Sequence, residues 1–238
     1  MHRKLSFPDG TPNHSKGSLL SLVFYRNALH YALFGIINLC TFVSSMKSRL
    51  LKQAFDPFYE IPLAAWEPLA EMSEIITVKK ETVVKEAGKT ERHVNLVLEG
   101  SMCILLWNNA DFVCTDMLFE NEFACEYLSF LTRKPTPYEV RTMEDSRVLR
   151  FSHQAMEKFT TTSRYGDKLW SHATQALYVD KLQQQLELLA LTAADRYSRA
   201  MELQGNLVQR IPQKYMASYL GVTQQSLSRM RRNLKKKK

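Results

Sequence analysis

"HVNLVLEGSMCILLW", residues 93–107, decides the fold. Two runs of branched and apolar residues meet at Glu99-Gly100-Ser101, where a glycine can take the tight turn that joins neighbouring strands. The same texture extends on both sides. "EIITVKK" and "TVVKEAG" precede it, and "FVCTDMLF", "YEVRTM" and "SRVLRFS" follow, divided by the turn-like "EAGKT", "LEGS", "WNNAD" and "EDS". Short strands at this spacing between Ile75 and Phe151 predict an antiparallel β-roll or sandwich whose closed interior can hold a ligand.

Helical patterns flank these strands, so the fold class is α+β. From Lys47 to Ala70, Leu50, Leu51, Ala54, Phe55 and Phe58 with Pro57, Pro62 and Pro68 predict short helices broken by proline. Periodicity returns from Met156 to Leu191, where Val179, Leu182, Leu186 and Leu189 form a seam at steps of three and four. That seam predicts homodimerisation, with packing on the protein's own sheet as the alternative. Leu177, Leu188 and Leu191 form a second apolar face, expected to meet the sheet. At "LTAAD" a new helix starts, with Thr192 as its cap and Asp195 in its first turn. It is expected to end near Gly205, leaving "GNLVQRI" room for one short strand of a wing.

Charge separates the chain's end from the rest. Of 238 residues, 32 are Lys or Arg and 24 Asp or Glu, a formal charge of +8. Nine of the cations (Arg210, Lys214, Arg229, Arg231, Arg232 and Lys235 to Lys238) and no acid lie in residues 210–238, which leaves residues 1–209 at −1. Such a footprint fits a polyanion. Within it, "YMASYLGVTQQSLSRMRR" (215–232) puts Met216, Leu220, Val222, Leu227 and Met230 inward, with the small Ala217 at the helix crossing and Gly221 in the turn. Pro212 precedes the first helix and Thr223 caps the second. This is a helix-turn-helix pattern. Its second helix would present Gln224 and Gln225 to adenine and Arg229 to guanine, each pairing worth about 1–3 kcal/mol of discrimination. Thr223, Ser226, Ser228, Arg231, Arg232 and Lys235 are placed for phosphates, which fix register without reading sequence.

Cys40, Cys103, Cys114 and Cys125 show neither C-x-x-C nor histidines at ligand spacing, so buried free thiols in a reducing cytoplasm are expected, with no metal site. Only His93 falls among the strands. A cupin-like enzyme needs convergent histidines and carboxylates, and no catalytic residue is assigned. The apolar run 19–43 is long enough to span a bilayer, but Arg26 inside it costs about 2.5–3.5 kcal/mol there. Residues 1–45 are therefore read as a membrane anchor, an added structured segment, or an extension from a start codon upstream of Met46. "MKSRLLKQAF" from Met46 favours the last. The expected divisions are 1–45, 46–163 for the roll with its helical lead-in, 164–191 for the dimerisation helix, and 192–238 for the helix-turn-helix.

Roll, long helix and helix-turn-helix, in that order, resemble the Crp/Fnr superfamily of bacterial transcription regulators over residues 46–238. "RIPQKYMASYLGVTQQSLSRMRRNL" resembles the DNA-binding ends of Bacteroidetes members, and "VNLVLEGSM" their sensor strand and turn. The resemblance implies a homodimer on double-stranded DNA, base reading by Gln224, Gln225 and Arg229, and contact with RNA polymerase. In cyclic-nucleotide-binding members a Gly-Glu pair opens a phosphate cassette, and an arginine followed by a small hydroxyl residue closes it. Here the glutamate is Glu126, the glycine is Cys125, and the closing positions fall on Thr136 and Pro137. Loss of the arginine removes a charged hydrogen bond worth about 1.5–3 kcal/mol. Cyclic AMP is thus not the expected effector, unless Arg133 or Lys134 turns inward, and no other cofactor is implied.

Overall fold

The computed structural model describes residues 41–109 and 111–236. The apolar run 19–43 lies outside them except for its last three residues, as does Cys40. Among the described residues no helix is long and apolar enough to cross a membrane. The chain divides into units Met1–Ser44 and Ser45–Lys238, and the second carries everything described below.

Residues 45–55 are helical (α1) and bury Leu51, Ala54 and Phe55. A 3₁₀ turn (Leu63–Trp66) and a short helix, α2 (Glu67–Glu71), follow, with Pro68 in the first turn of α2, where its missing N–H costs nothing. The strands are β1 (Ser73–Val78), β2 (Val83–Lys85), β3 (His93–Glu99), β4 (Met102–Asn108), β5 (Asp111–Leu118), β6 (Phe123–Ala124), β7 (Tyr138–Thr142) and β8 (Ser146–Ser152). They form two antiparallel four-stranded sheets, β1-β8-β3-β6 and β2-β7-β4-β5. The expected roll is present.

Three cores hold it. Val97, Met102, Ile104, Ala124, Val140 and Val148 fill the roll between the sheets. Phe55, Trp66, Leu96, Phe151, Phe159 and Leu169 join one sheet to α1 and to the helices after β8. In the third, Cys103, Leu105 and Cys114 on the other sheet pack against the C-terminal helices. β4 alternates between two of these cores, Met102 and Ile104 facing in, Cys103 and Leu105 facing out, and both of its faces are buried.

Gly100 joins β3 to β4 at φ +91, and a Cβ built there would lie 2.4 Å from Ser146 Oγ and 2.6 Å from the Asp145 carbonyl oxygen. Gly100→Ala is therefore expected to cost about 2–4 kcal/mol through left-handed strain and overpacking. A melting curve indistinguishable from wild type would contradict this.

After β8 come α4 (His153–Thr162), α5 (Gly166–Ala190), α6 (Ala193–Arg210), α7 (Gln213–Leu220) and α8 (Gln224–Lys236). Thr192 caps α6 by accepting from Asp195 N, as its sequence predicts. Two expectations need correction. α6 does not stop near Gly205 but runs to Arg210, so "GNLVQRI" is the last turns of a helix with Ile211 as its C-cap and not a wing strand. Val208 and Ile211 are buried in the third core with Leu207 packed beside them, and that burial outweighs the roughly 1 kcal/mol a mid-helix glycine costs. The second correction concerns α5. Leu188 does not meet the sheet but is exposed with Val179, Leu182, Leu186 (64%) and Leu189 (79%), while Leu177 and Leu191 are half-buried. Near its start α5 packs Leu169 into the second core, and farther along it reaches the roll through polar groups: Gln184 Nε2 donates to the Thr115 carbonyl at 3.2 Å, and Lys181 pairs with Asp116.

Candidate nucleic-acid interface and effector site

The C-terminal helix pair is built as its sequence demands. α7 ends at Gly221, whose φ of 67° and ψ of 33° are left-handed, and Val222 N donates back to the Ala217 carbonyl at 3.0 Å. Thr223 Oγ1 then accepts from Ser226 N at 3.1 Å, capping α8. Gln213 Nε2 donates to the Gln224 carbonyl at 2.7 Å, tying the start of one helix to the start of the other. Met216, Ala217, Leu220 and Leu227 are buried, with Val222 and Met230 packed beside them.

Opposite this core, Gln224, Gln225, Ser226, Ser228, Arg229 and Arg232 are exposed along one side of α8. Thr223 and Ser226 share a hydroxyl hydrogen bond of 3.0 Å and so do part of the capping themselves. Arg231 is half-buried, its guanidinium 5.8 Å from the Tyr197 ring centroid, with Nε and Nη2 lacking acceptors. It would have to turn outward to meet a phosphate. Lys235 lies in the last turn of α8, and its side chain is outside the description.

The other side of this domain is clamped to the roll. Tyr215 Oη and Lys214 Nζ both donate to Glu81 Oε2, at 2.7 and 3.0 Å. Ser218 Oγ donates to the Phe112 carbonyl and accepts from Cys114 N. Arg210 grips both carboxylate oxygens of Glu120, at 3.0 and 2.7 Å, and reaches Glu144 at 2.6 Å. Hydrogen bonding from Arg210 holds the Glu120 carboxyl below its usual range. Burial raises that of Glu81, but Tyr215, Lys214 and Arg141 outweigh it and hold the net value down.

Inside the roll the expected cassette residues separate. Glu126 and Thr136 come together, buried, with Thr136 Oγ1 donating to Glu126 Oε2 at 2.5 Å. Pro137 is exposed. Glu126 also caps α3 (Tyr127–Thr132), accepting from Leu128 N and Ser129 N at 3.1 Å each. The cation beside them is Lys85 of β2, which sequence reasoning missed. Its Nζ donates to Thr136 Oγ1 (2.8 Å), the Tyr138 carbonyl (2.5 Å) and the Thr136 carbonyl (3.3 Å), and lies 3.8 Å from Glu126 Oε2. An ammonium has three protons, and these three bonds use all of them. Arg133 and Lys134 are exposed, with Arg133 Nη1 reaching only the Glu91 carbonyl at 3.4 Å.

Glu91 closes the cluster. One carboxylate oxygen accepts from Arg92 N and His93 N, the other from Glu126 N, and burial pushes its carboxyl up. A cavity of about 910 Å³ opens between this cluster and α5 and α6, lined by Ile104, Leu118, Phe123, Glu126, Tyr127 and Leu177 among others. His93 is half-buried on β3 with its pKa lowered by burial, and among the described residues no three His, Cys, Asp or Glu side chains gather as metal ligands would. Cys103, Cys114 and Cys125 are buried free thiols, and burial pushes Cys114 up to about 12.

Residues 75–163 match the family model of the cyclic nucleotide-binding domain. Among solved structures, FixK2 from Bradyrhizobium japonicum is similar at 14% identity and a TM-score of 0.59, over 69% of this chain and 85% of that one. The c-di-GMP-responsive global regulator CLP from Xanthomonas campestris is similar at 17% and 0.53, over 74% and 93%. A cyclic nucleotide-binding domain from Methylobacillus flagellatus is similar at 10% and 0.54, over 61% and 84%. No curated protein matches the chain. With its two four-stranded sheets and flanking helices, the roll has the fold of a cyclic nucleotide-binding domain.

Proposed function

We propose that the protein is a homodimeric, sequence-specific DNA-binding transcription regulator of the Crp/Fnr kind, not an enzyme, acting in the cytoplasm and working beside RNA polymerase. The observation that carries this reading is the free face of α8. A capped helix in a helix-turn-helix leaves Gln224, Gln225 and Arg229 exposed together, at the basic end of an otherwise nearly neutral chain. Their side chains match the hydrogen-bonding edges of adenine and guanine in the major groove. FixK2 and CLP share the fold, and CLP is described as linking signalling to gene expression.

Dimerisation through α5 supplies the second half of the reading. Val179, Leu182, Leu186 and Leu189 form an exposed apolar line that a second copy would bury. Leu182→Asp with Leu186→Asp is expected to give a monomer by sedimentation and to weaken DNA binding about a hundredfold or more, since the two half-sites are then no longer linked. A variant that stays dimeric would place the interface elsewhere.

The roll's own groups support a reading of the effector site. Lys85 and the α3 amides are already satisfied by Thr136, Tyr138 and Glu126, and the buried carboxylates of Glu126 and Glu91 add negative charge beside them, which disfavours an anionic phosphate. The reading is of a regulator that does not answer cyclic AMP. Titration with cyclic AMP should give no heat and no thermal shift.

A further inference from the structure

α5 and α6 join at Leu191, extended at φ −108° and ψ 144°, and Thr192, with one ion pair across the joint, Arg199 Nε to Glu187 Oε1 at 3.0 Å, so little on the α5 side fixes the direction in which α8 points. What fixes it is contact with the roll, and that contact has a built character. Glu120 is oriented by Gly100 N, which donates to its Oε1 at 3.0 Å, and Glu144 by Ser101 Oγ at 2.6 Å. The β3–β4 turn thus aims two carboxylates at Arg210, which meets both. A second anchor stands apart from the first: Glu81, in a left-handed turn at φ 60° and close to Arg141, receives Tyr215 and Lys214 of α7. Isolated surface ion pairs contribute little, but a bidentate guanidinium within a network is the exception.

We infer that Glu81, Glu120 and Glu144 are positioning residues for DNA binding, clamping the helix-turn-helix to the roll in the pose that α8 needs, with no small ligand required to set it. The inference rests on the proposed DNA reading. In the clamped pose the base-reading side of α8 stays exposed, so docking does not mask it. Each half of a dimer would then hold its recognition helix at a fixed place, and the ordering cost is met before DNA arrives. The clamp leaves a reporter beneath it: Cys103 and Cys114 on β4 and β5 belong to the core shared with Tyr215, Met216 and Leu220, whereas Cys125 belongs to the core on the roll's other side.

The test compares the full chain with Glu120→Gln plus Glu144→Gln, changes that keep acceptors for Gly100 N and Ser101 Oγ but remove the charge opposite Arg210. Iodoacetamide labelling, read peptide by peptide, is expected to speed up about tenfold or more at Cys103 and Cys114 and not at Cys125. Affinity for the selected duplex is expected to fall about tenfold, although removing two negative charges would by itself strengthen attraction to a polyanion. Arg210→Lys, which keeps the charge, should retain most of the protection and affinity. Unchanged labelling would overturn the clamp, and faster labelling with equal or tighter DNA binding would overturn its positioning role. If the unaltered chain selects no DNA sequence, the DNA reading fails on its own, and the labelling comparison still decides whether the acids hold the two parts together.

Discussion

Lys85→Met is expected to destabilise the protein by about 3–5 kcal/mol, because it removes one member of a buried charged pair and leaves the other in place. Both side chains are almost wholly enclosed, Lys85 at 2% and Glu126 at 5% exposure. Met matches the length of the lysine stem, so the loss is not one of volume. It falls on Glu126, stripped of its cation, and on the Thr136 and Tyr138 carbonyls, stripped of their donor. Adding Glu126→Gln should restore a large part of the loss, since the amide is neutral and can still accept from Leu128 N or Ser129 N. Urea denaturation of the two single variants and the double variant measures this. A Lys85→Met protein as stable as wild type would mean that the lysine is not what closes the cassette.

Arg229→Ala has the second large effect. It is expected to weaken binding to the selected operator by about 1–3 kcal/mol per half-site and to relax the preference at one base pair in each half. Arg232→Ala, on the same helix but placed for phosphate, should weaken all sequences alike and flatten the salt dependence. Competition binding with single-base operator variants separates the two. Equal loss on every sequence for Arg229→Ala would move that residue from base reading to the backbone.

Local chemistry made much of this molecule legible. The β-branched runs between Ile75 and Phe151 became strands, Gly100 and Gly221 took positive φ in their turns, and Thr192 and Thr223 became caps. Each depends on residues close in sequence. Lys85 was invisible because its partner Thr136 is 51 residues away, and a lysine ending "TVVK" looks like the solvated end of a strand. Glu81, Glu120 and Glu144 carry no local signal for the same reason: Arg210 meets Glu120 across 90 residues. "MCILLW" in β4 is continuously apolar where a half-exposed strand would alternate, the mark of a strand covered on both faces, and the C-terminal helices cover the second one. Gly205 does not end its helix, since the apolar residues after it carry α6 onward to Arg210.

The central claim is that α8 reads DNA sequence in a dimer, and selection from a random-sequence duplex pool by gel shift tests it most directly. The predicted result is enrichment of a pseudo-palindrome with half-sites about one helical turn apart, roughly 34–36 Å, bound by a dimer and weakening steeply with salt. Rounds of selection that enrich no sequence, while the protein remains folded, would contradict it.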